Sequence, residues 1–362
     1  MLTEIFTYLK GFGAAPVLLL CWGISWIAAY WGTKASIACA TRFGITDKPG
    51  EIKIHTTEMP RFGGIGIVLG VFVVIGGLFL WRIGPYTETL ALLLWGLPVV
   101  LTGAVDDIRG LTPVSKLIGQ LVGCLGASAF IVRGAVPGLD TAVMLIWTVV
   151  LGGFLCFLTN SVNLLDGMDG LAAGSVGIIS TAHACAALLG AGGGLDVLPM
   201  AISGACAGFL IWNLPPARTF MGDVGSLFLG YAIGVNSLRL ILQGGPSVAK
   251  LCGVALTLVV PISDTSLAVV RRLLLHRNMM TGDRMHIYDC MHRRLGGDTK
   301  RTLSVMWSIS ILVGLGGVAA TVSPPGWSIA LALMGYAIIA LIALGLGALG
   351  PSSKAKGSGV AA

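Results

Sequence analysis

The stretch Asn160-Ser-Val-Asn-Leu-Leu-Asp-Gly-Met-Asp-Gly170 joins two strongly apolar segments and sets two carboxylates and two carboxamides between them. The apolar segments, 149–158 and 171–189, have the composition of membrane helices, so Asp166 and Asp169 are expected where a helix meets water. Charge near a bilayer is costly and is retained mostly for a function. The glycines free the backbone to wrap a ligand while oxygen-bearing side chains converge on it. A hydrated loop between two spans is the alternative.

The composition around this stretch is that of an integral membrane protein. Hydrophobic residues make up 55% of the chain and charged residues 11%, well below the roughly 25% charged residues of a soluble domain. The 53 glycines suit close helix packing in lipid and need no nucleotide to explain them. The eight cysteines form no Cys-x-x-Cys pair and are expected to be small core residues. The net charge of +7 indicates membrane orientation rather than nucleic-acid binding.

Apolar runs of about 17–25 residues can cross a bilayer as helices. We predict an all-α polytopic fold with eleven spans, near 13–33, 63–82, 88–105, 116–133, 141–159, 170–190, 197–213, 225–241, 248–271, 303–322 and 327–349. The first run is interpreted as a span and not a signal peptide, because Glu4 stands where a basic start is expected. If that run only lies on the surface, the count is ten.

The connections between spans differ sharply in charge. One side receives 34–62, 106–116, 160–170, 213–224, 272–302 and the tail, and these hold most of the 23 basic residues. This side is predicted to be the cytoplasm, with the N-terminus outside and the C-terminus inside. Every polar motif falls on it, so we expect one site at the cytoplasmic face. We predict a single integral-membrane domain over 1–350 and a disordered tail over 351–362.

A second motif, Asp106-Asp107 followed by Lys116, caps the end of an apolar run with two adjacent carboxylates. Two unscreened like charges this close raise one pKa unless a cation lies between them. The alternative is a solvated helix end with Arg109 as partner.

A third motif runs from Asn213 to Asp223 and ends at the start of a span. There the carboxylate of Asp223 has the positive helix end behind it and can present oxygens to a hard cation. An ordinary N-cap is the alternative. Phe220 could stack on a flat ring or bury itself in the membrane interface.

The most basic loop contains Arg284 and His286 and follows a span that carries Asp264, an acid for which Arg271 or Arg272 is the candidate partner. Guanidinium and imidazole donors opposite several carboxylates suggest a polyanion held by a divalent metal on one side and by cations on the other. A positive-inside anchor is the alternative. Oxygen ligands without a His or Cys cluster favour Mg²⁺ or Mn²⁺ over zinc. The residues therefore predict metal-dependent phosphoryl transfer at the membrane surface.

Together, these blocks resemble the polyprenyl-phosphate N-acetylhexosamine-1-phosphate transferase family, glycosyltransferase family 4, and occur in the family's order from about Asp47 to Leu295. The early loop, with Asp47 and the Pro60-Arg-Phe-Gly-Gly64 segment, is similar to the N-acetylglucosamine-type branch. The resemblance implies transfer of N-acetylhexosamine 1-phosphate from a UDP-sugar to undecaprenyl phosphate with release of UMP. It implies the first membrane step of O-antigen or similar envelope polysaccharide synthesis in a bacterial inner membrane.

The resemblance also implies roles for individual residues. Asp223 would bind Mg²⁺, Asp106 would deprotonate or orient the lipid phosphate, and Asp107 would assist. Uridine would be bound by Asp169, Asn213 and Phe220. The remaining candidates are His286 for catalysis and Lys116, Asn160, Asn163, Asp166 and Arg284 for substrate binding.

The sequence departs from the family in the basic loop. Where the family has a His-x-His-His or triple-His cluster, only His286 has an equivalent, followed by Tyr288 and Asp289. This disfavours the muramyl-pentapeptide branch and leaves the sugar open among N-acetylglucosamine and its 6-deoxy relatives. A cation-coupled transporter with a cytoplasmic acidic site, a lipid-binding scaffold and a homodimer are also left open. Transporters usually place their acids at the bilayer midplane, whereas these acids lie at span ends.

Overall fold

The computed structural model describes residues 13–47, 58–83, 86–191, 196–276 and 284–350. This part of the chain consists of α-helices, one π-helical turn (Ala187–Ala191) and one short antiparallel sheet of β1 (Thr46–Asp47) and β2 (Met59–Pro60). The helices are α1 (Ala14–Phe43), α2 (Ile65–Leu80), α3 (Thr87–Trp95), α4 (Leu97–Arg109), α5 (Pro113–Ala135), α6 (Thr141–Leu165), α7 (Leu171–Ala186), α8 (Leu198–Asn213), α9 (Gly222–Leu242), α10 (Val248–Thr257), α11 (Val259–Leu274), α12 (Ile287–Arg294), α13 (Thr299–Val322) and α14 (Pro325–Gly345).

The helices have the lengths and composition of a polytopic membrane protein, as predicted. Within the described ranges, 8 helical segments are long and apolar enough to cross a membrane, with α3 and α4 counted together. The count rises to 9 if α10 and α11, which meet at a bend of 71°, form one broken span. Helices α2 and α8 are apolar but have only 16 residues each, short of the roughly 20 needed to span. The predicted count of eleven therefore stays a prediction.

Several sequence predictions fall outside the described residues. They are the disordered tail over 351–362 and most of the loop that follows Asp47. The single-domain boundary at residue 350 likewise stays a prediction.

Helix α9 lies at the centre of the bundle and positions the site. Almost every residue from Gly222 to Leu238 is buried, and α9 packs against both α6 and α4. A helix that is apolar all round belongs in such a central position. Its first turn, which carries Asp223, is therefore held by neighbours on every side.

Glycines allow α1 and α2 to pack closely beside this centre. A methyl group on Gly66 would collide with Thr33, and one on Gly70 would lie 2.8 Å from the carbonyl oxygen of Ser25. Small residues at such spacing bring membrane helices into contact. The glycine-rich run after Arg61 thus serves helix packing, as the sequence indicated.

Candidate active site

A cleft of about 520 Å³ opens at one end of the bundle, where the polar motifs meet. The residues predicted for the site that line it are Asn163, Asp166, Asp169, Asn213, Phe220, Asp223 and Arg284. They come from the ends of α6, α8 and α9 and from the segment before α12. Residues far apart in sequence are thus brought to one cavity.

Asp223, in α9, contacts side chains from two other helices, α5 and α6. Its carboxylate forms an ion pair with the Lys116 ammonium from α5. Its other oxygen, Oδ1, accepts a hydrogen bond of 2.9 Å from Asn163 Nδ2 on α6, and the same nitrogen lies 2.9 Å from Ser226 Oγ. Position in the first turn of α9 adds the favourable field of the helix N-terminus. The carboxylate is therefore held in position by these contacts and lines the cleft.

Asp107 caps the helix that carries Asp223. Its Oδ1 accepts from the Asp223 N–H and its Oδ2 from the Val224 N–H, both at 3.0 Å. These are the N2 and N3 amides that an N-cap side chain normally satisfies, but here the acceptor comes from another helix. Gly222 permits this approach because its φ is +70° and a side chain there would press on Asp107 Oδ2 and the Arg61 carbonyl. Asp107 is thus a positioning group beneath Asp223.

Asp106, the neighbour of Asp107 in the sequence, has a different environment. Asp106 Oδ1 accepts a 2.7 Å hydrogen bond from the Leu111 N–H, and its Oδ2 lies 3.6 Å from Lys116 Nζ. The side chain is partly exposed, whereas that of Asp107 is fully buried. Of the two adjacent acids, Asp106 is the more exposed to solvent.

The turn after α6 carries the most crowded carboxylates. Burial, together with the nearby charges of Asp107 and Asp169, raises the pKa of Asp166 well above its ordinary value. Asp169 Oδ2 accepts a 3.2 Å hydrogen bond from the Ala217 N–H. Mutual repulsion of this kind favours a cation among the acids.

Asn213 joins the turn after α6 to the loop before α9. Its Oδ1 accepts from the Gly170 N–H at 2.8 Å, and its Nδ2 donates to the Thr219 carbonyl at 2.9 Å. The Phe220 N–H donates to the Pro60 carbonyl at 2.8 Å, which ties the same loop to β2. The side chains of Asn213 and Phe220 both line the cleft, and these hydrogen bonds fix the loops that carry them.

Arg61 is a site residue that the sequence reasoning did not single out. It follows β2, and its guanidinium lies 3.6 Å from Asp47 Oδ1 and 3.7 Å from Asp107 Oδ1 while also lining the cleft. The resemblance of segment 60–64 to the family's early loop is the signal in the sequence that points to this arginine.

Arg284 and His286 occupy different positions although they are two residues apart. Arg284 lines the cleft, and its Nη1 lies 3.6 Å from Asp289 Oδ1. His286 is buried at 4% exposure, and its Nδ1 lies 2.7 Å from Asp264 Oδ2. The sequence offered Arg271 or Arg272 as the partner of Asp264, but the structure pairs this acid with a histidine.

Asn160 lies one turn below the cleft. Its Nδ2 donates to Gln120 Oε1 at 2.5 Å and to the Cys156 carbonyl at 2.8 Å, joining α6 to α5. In the described part of the chain, five of the predicted site residues are not among those that line the cleft: Asn160, His286, Asp106, Asp107 and Lys116. Substrate contact by Asn160 stays a prediction.

The donor set suits a hard divalent cation. Carboxylate and amide oxygens are what Mg²⁺ prefers, and Mg²⁺ usually keeps waters and substrate phosphates as its other ligands. Asp223 and Asp166 line the same cleft beside Asn163. Among the described residues, no three His, Cys, Asp or Glu side chains already form a metal-binding group. Asp223 would therefore hold the ion with one further oxygen from the cleft, and the substrate would complete the shell.

Comparison with known proteins agrees with this geometry. The model of glycosyl transferase family 4 matches residues 89–241, which include all the site residues above from α4 to α9. A probable undecaprenyl-phosphate N-acetylglucosaminyl 1-phosphate transferase from Bacillus subtilis is 34% identical over 281 residues, covering 74% of each chain. A decaprenyl-phosphate N-acetylglucosaminephosphotransferase from Mycobacterium tuberculosis is 28% identical over 359 residues, covering 88% of this chain and 85% of the relative.

A second type of relative is also similar. A phospho-N-acetylmuramoyl-pentapeptide-transferase from Moorella thermoacetica is 33% identical over 288 residues, covering 72% of this chain and 83% of its own. The Mycobacterium relative, of the N-acetylglucosamine type, aligns over 88% of this chain against 72% for the Moorella relative, in agreement with the branch that the motifs indicate. The transporter alternative finds no support among these relatives. The matches extend over most of the chain, and it belongs to glycosyl transferase family 4.

Proposed function

We propose that this protein transfers N-acetylglucosamine 1-phosphate from UDP-N-acetylglucosamine to undecaprenyl phosphate and releases UMP. The observation that carries the proposal is the cleft in which Asp166, Asp169 and Asp223 lie with Arg284 at the end of a bundle of apolar helices. Such a cleft can admit a charged nucleotide from water and a phosphate carried by a lipid. The names of the Bacillus and Mycobacterium relatives supply the acceptor class and the sugar.

The donor would occupy the side of the cleft formed by Asp169, Asn213 and Phe220. The aromatic ring can stack on the uracil base, and the carboxylate and amide can read its polar edge. Lys116 and Arg284 would face the diphosphate, because ammonium and guanidinium groups bind phosphate oxygens strongly. The Lys116 ammonium already bridges Asp106 and Asp223, so it lies between the two proposed sides of the reaction.

In the proposed reaction, an oxygen of the lipid phosphate forms a bond to the sugar-bearing phosphorus, and the anhydride bond to the other phosphorus breaks. UMP leaves with that bridging oxygen. A phosphate monoester has its second pKa near 6 and is largely ionised at neutral pH, so Asp106 would mainly orient the nucleophile. Asp107 would hold the start of α9 and thereby the position of Asp223.

Mg²⁺, or Mn²⁺ in its place, would neutralise charge on the diphosphate when bound at Asp223. The protein supplies the fixed position of that carboxylate through Asn163 and Asp107. Positioning and charge neutralisation are most of what phosphoryl transfer requires.

The site would face the cytoplasm, because the loops on its side carry most of the 23 basic residues of the chain. UDP-sugars are soluble, so a site on that face meets its donor directly. The reaction would be the first membrane step of an envelope polysaccharide such as O-antigen. A homodimer stays a prediction.

The test is transfer of label from UDP-N-acetylglucosamine, labelled in the sugar-side phosphate, to undecaprenyl phosphate by the purified protein with Mg²⁺. We expect lipid-borne label and UMP in equal amounts. A parallel set of UDP-sugars, including the 6-deoxy relatives, would identify the preferred donor. Label that stays in the aqueous phase with every donor would overturn the proposal.

A further inference from the structure

We infer that Asp264, a buried acid in α11, is a positioning residue that orients the imidazole of His286 for the transfer reaction. The inference rests on the proposed function and adds a residue that the reaction scheme above does not use. Asp264 is 2% exposed and lies on the same face of α11 as Arg271, seven positions later. Both side chains reach the segment that leads into α12.

Asp264 makes two contacts with that segment. Its Oδ2 lies 2.7 Å from His286 Nδ1, and its Oδ1 accepts a 2.6 Å hydrogen bond from the Ile287 N–H. A carboxylate can only accept, so Nδ1 carries the hydrogen and Nε2 is the nitrogen that can exchange a proton. The contact therefore selects both the tautomer and the direction of the ring.

The oriented ring is packed against the cleft through Tyr288. The rings of His286 and Tyr288 stack with centroids 5.5 Å apart and planes 10° apart. The Tyr288 hydroxyl donates to the Leu164 carbonyl at 3.2 Å and fills the space beside Gly167, which lines the cleft. A rotation of the imidazole would thus be transmitted to the turn that carries Asp166.

The need to hold the backbone before α12 in place does not explain the presence of Asp264, because Arg271 already holds that backbone. The guanidinium of Arg271 donates to the Met285 carbonyl at 2.8 Å and to the Ala348 carbonyl at 2.6 Å. A buried ionisable group in a membrane protein is costly and is kept mostly for a function. With the chain held next to His286 by Arg271, the separate contribution of Asp264 is the orientation of the ring.

A double-mutant cycle tests this role with Asp264→Asn, His286→Ala and the combined variant. Loss of a residue that orients a functional histidine commonly lowers activity by about 10- to 100-fold. We therefore expect Asp264→Asn to lower kcat by about 10-fold or more. The KM for the UDP-sugar should change by less than about twofold, since the substitution removes orientation and not a substrate contact. In the His286→Ala background, Asp264→Asn should cost less than about twofold.

Equal losses in the two backgrounds would overturn the inference, because a merely structural acid acts whether or not the histidine is present. Turnover of His286→Ala at the wild-type rate would overturn it as well. Transfer by the wild-type protein in the same assay tests the proposed function separately. The matched control is Asp196→Asn, a buried acid at the start of α8 that should alter thermal stability but not kcat.

If Asp264→Asn does not fold, Ile287→Pro provides a second route. Ile287 is the first residue of α12, where proline is tolerated, and His286 already has φ −63° and ψ 158°, as a residue before proline requires. This variant removes the Ile287 N–H but leaves the bond between carboxylate and imidazole. We expect kcat within about threefold of wild type. A larger loss in a protein of wild-type thermal stability would assign the effect to the backbone bond and overturn the inference.

Discussion

The two ends of helix α9 handle buried charge in different ways. At the far end, Asp196 Oδ2 lies 3.5 Å from Arg239 Nη2, and Asp196 Oδ1 accepts from the Leu198 N–H at 3.1 Å. One acid is matched there by one base. At the cleft, burial and repulsion from Asp107 and Asp169 raise the pKa of Asp166, and Asp223 lies in the same cavity. Matched charge indicates a structural contact, whereas an excess of one sign indicates a site that a ligand completes.

The largest expected effect is on activity at the cleft end. Asp223→Asn keeps the shape of the side chain but removes its charge, and we expect transfer to fall by at least about 10²- to 10³-fold at every Mg²⁺ concentration. The reason is the central position of this carboxylate between Lys116 and Asn163. Initial rates of label transfer measure the loss, and a thermal melt checks that the variant is folded. Restoration of wild-type rates by excess Mg²⁺ would contradict the assignment.

The corresponding change at the far end should affect stability alone. Asp196→Asn leaves the guanidinium of Arg239 partly buried without its acid, and breaking a buried pair costs about 3–5 kcal/mol. We expect a lower melting temperature in detergent and an unchanged kcat per folded molecule. A loss of kcat without loss of stability would remove the distinction between the two ends.

A pair of glycine variants sharpens the comparison further. A methyl group on Gly103 of α4 would lie 2.5 Å from the Asp223 carbonyl oxygen, whereas one on Gly153 of α6 meets nothing within 4 Å. Overpacking costs about 1–3 kcal/mol, so Gly103→Ala should displace Asp223 and lower kcat about tenfold. Gly153→Ala should leave kcat unchanged and stabilise its helix by about 0.5–1 kcal/mol. Equal effects in the two variants would show that α4 does not set the position of Asp223.

The smallest expected effect concerns Asn160. Its hydrogen bonds join α6 to α5 through Gln120 and Cys156, and removing one such bond costs about 1 kcal/mol. If these bonds are its whole role, Asn160→Ala lowers thermal stability slightly and leaves the KM for the UDP-sugar within about twofold, whereas the predicted substrate contact requires that KM to rise. A large rise in that KM would place Asn160 in the substrate site after all.

Much of the fold and of the cleft could be predicted from the sequence. Long apolar runs are a strong signal because a bilayer demands them. The Asn163, Asp166 and Asp169 stretch was informative because polar residues stand out against such surroundings. Helices α2 and α8 were less certain, since their length falls between that of a core helix and a span.

Pairwise contacts between distant segments could not be predicted in the same way. Asp106 and Asp107 are equivalent in sequence, and only the approach of α9 makes Asp107 a cap and leaves Asp106 partly exposed. Arg271 is nearer than His286 to Asp264 along the chain, yet the acid binds the histidine. Which partner an intramembrane acid meets depends on helix packing, which periodicity does not encode.

The bonds from Asp107 to the amides of Asp223 and Val224 also limit how this protein can change over generations. A longer side chain at 107 could keep the charge yet miss the two peptide groups, and a neutral one could bond them only in part. Mutations at this position therefore alter helix geometry and local charge in a single step. The carboxylate of Asp106 is under no such double constraint, because it bonds a single peptide group, that of Leu111.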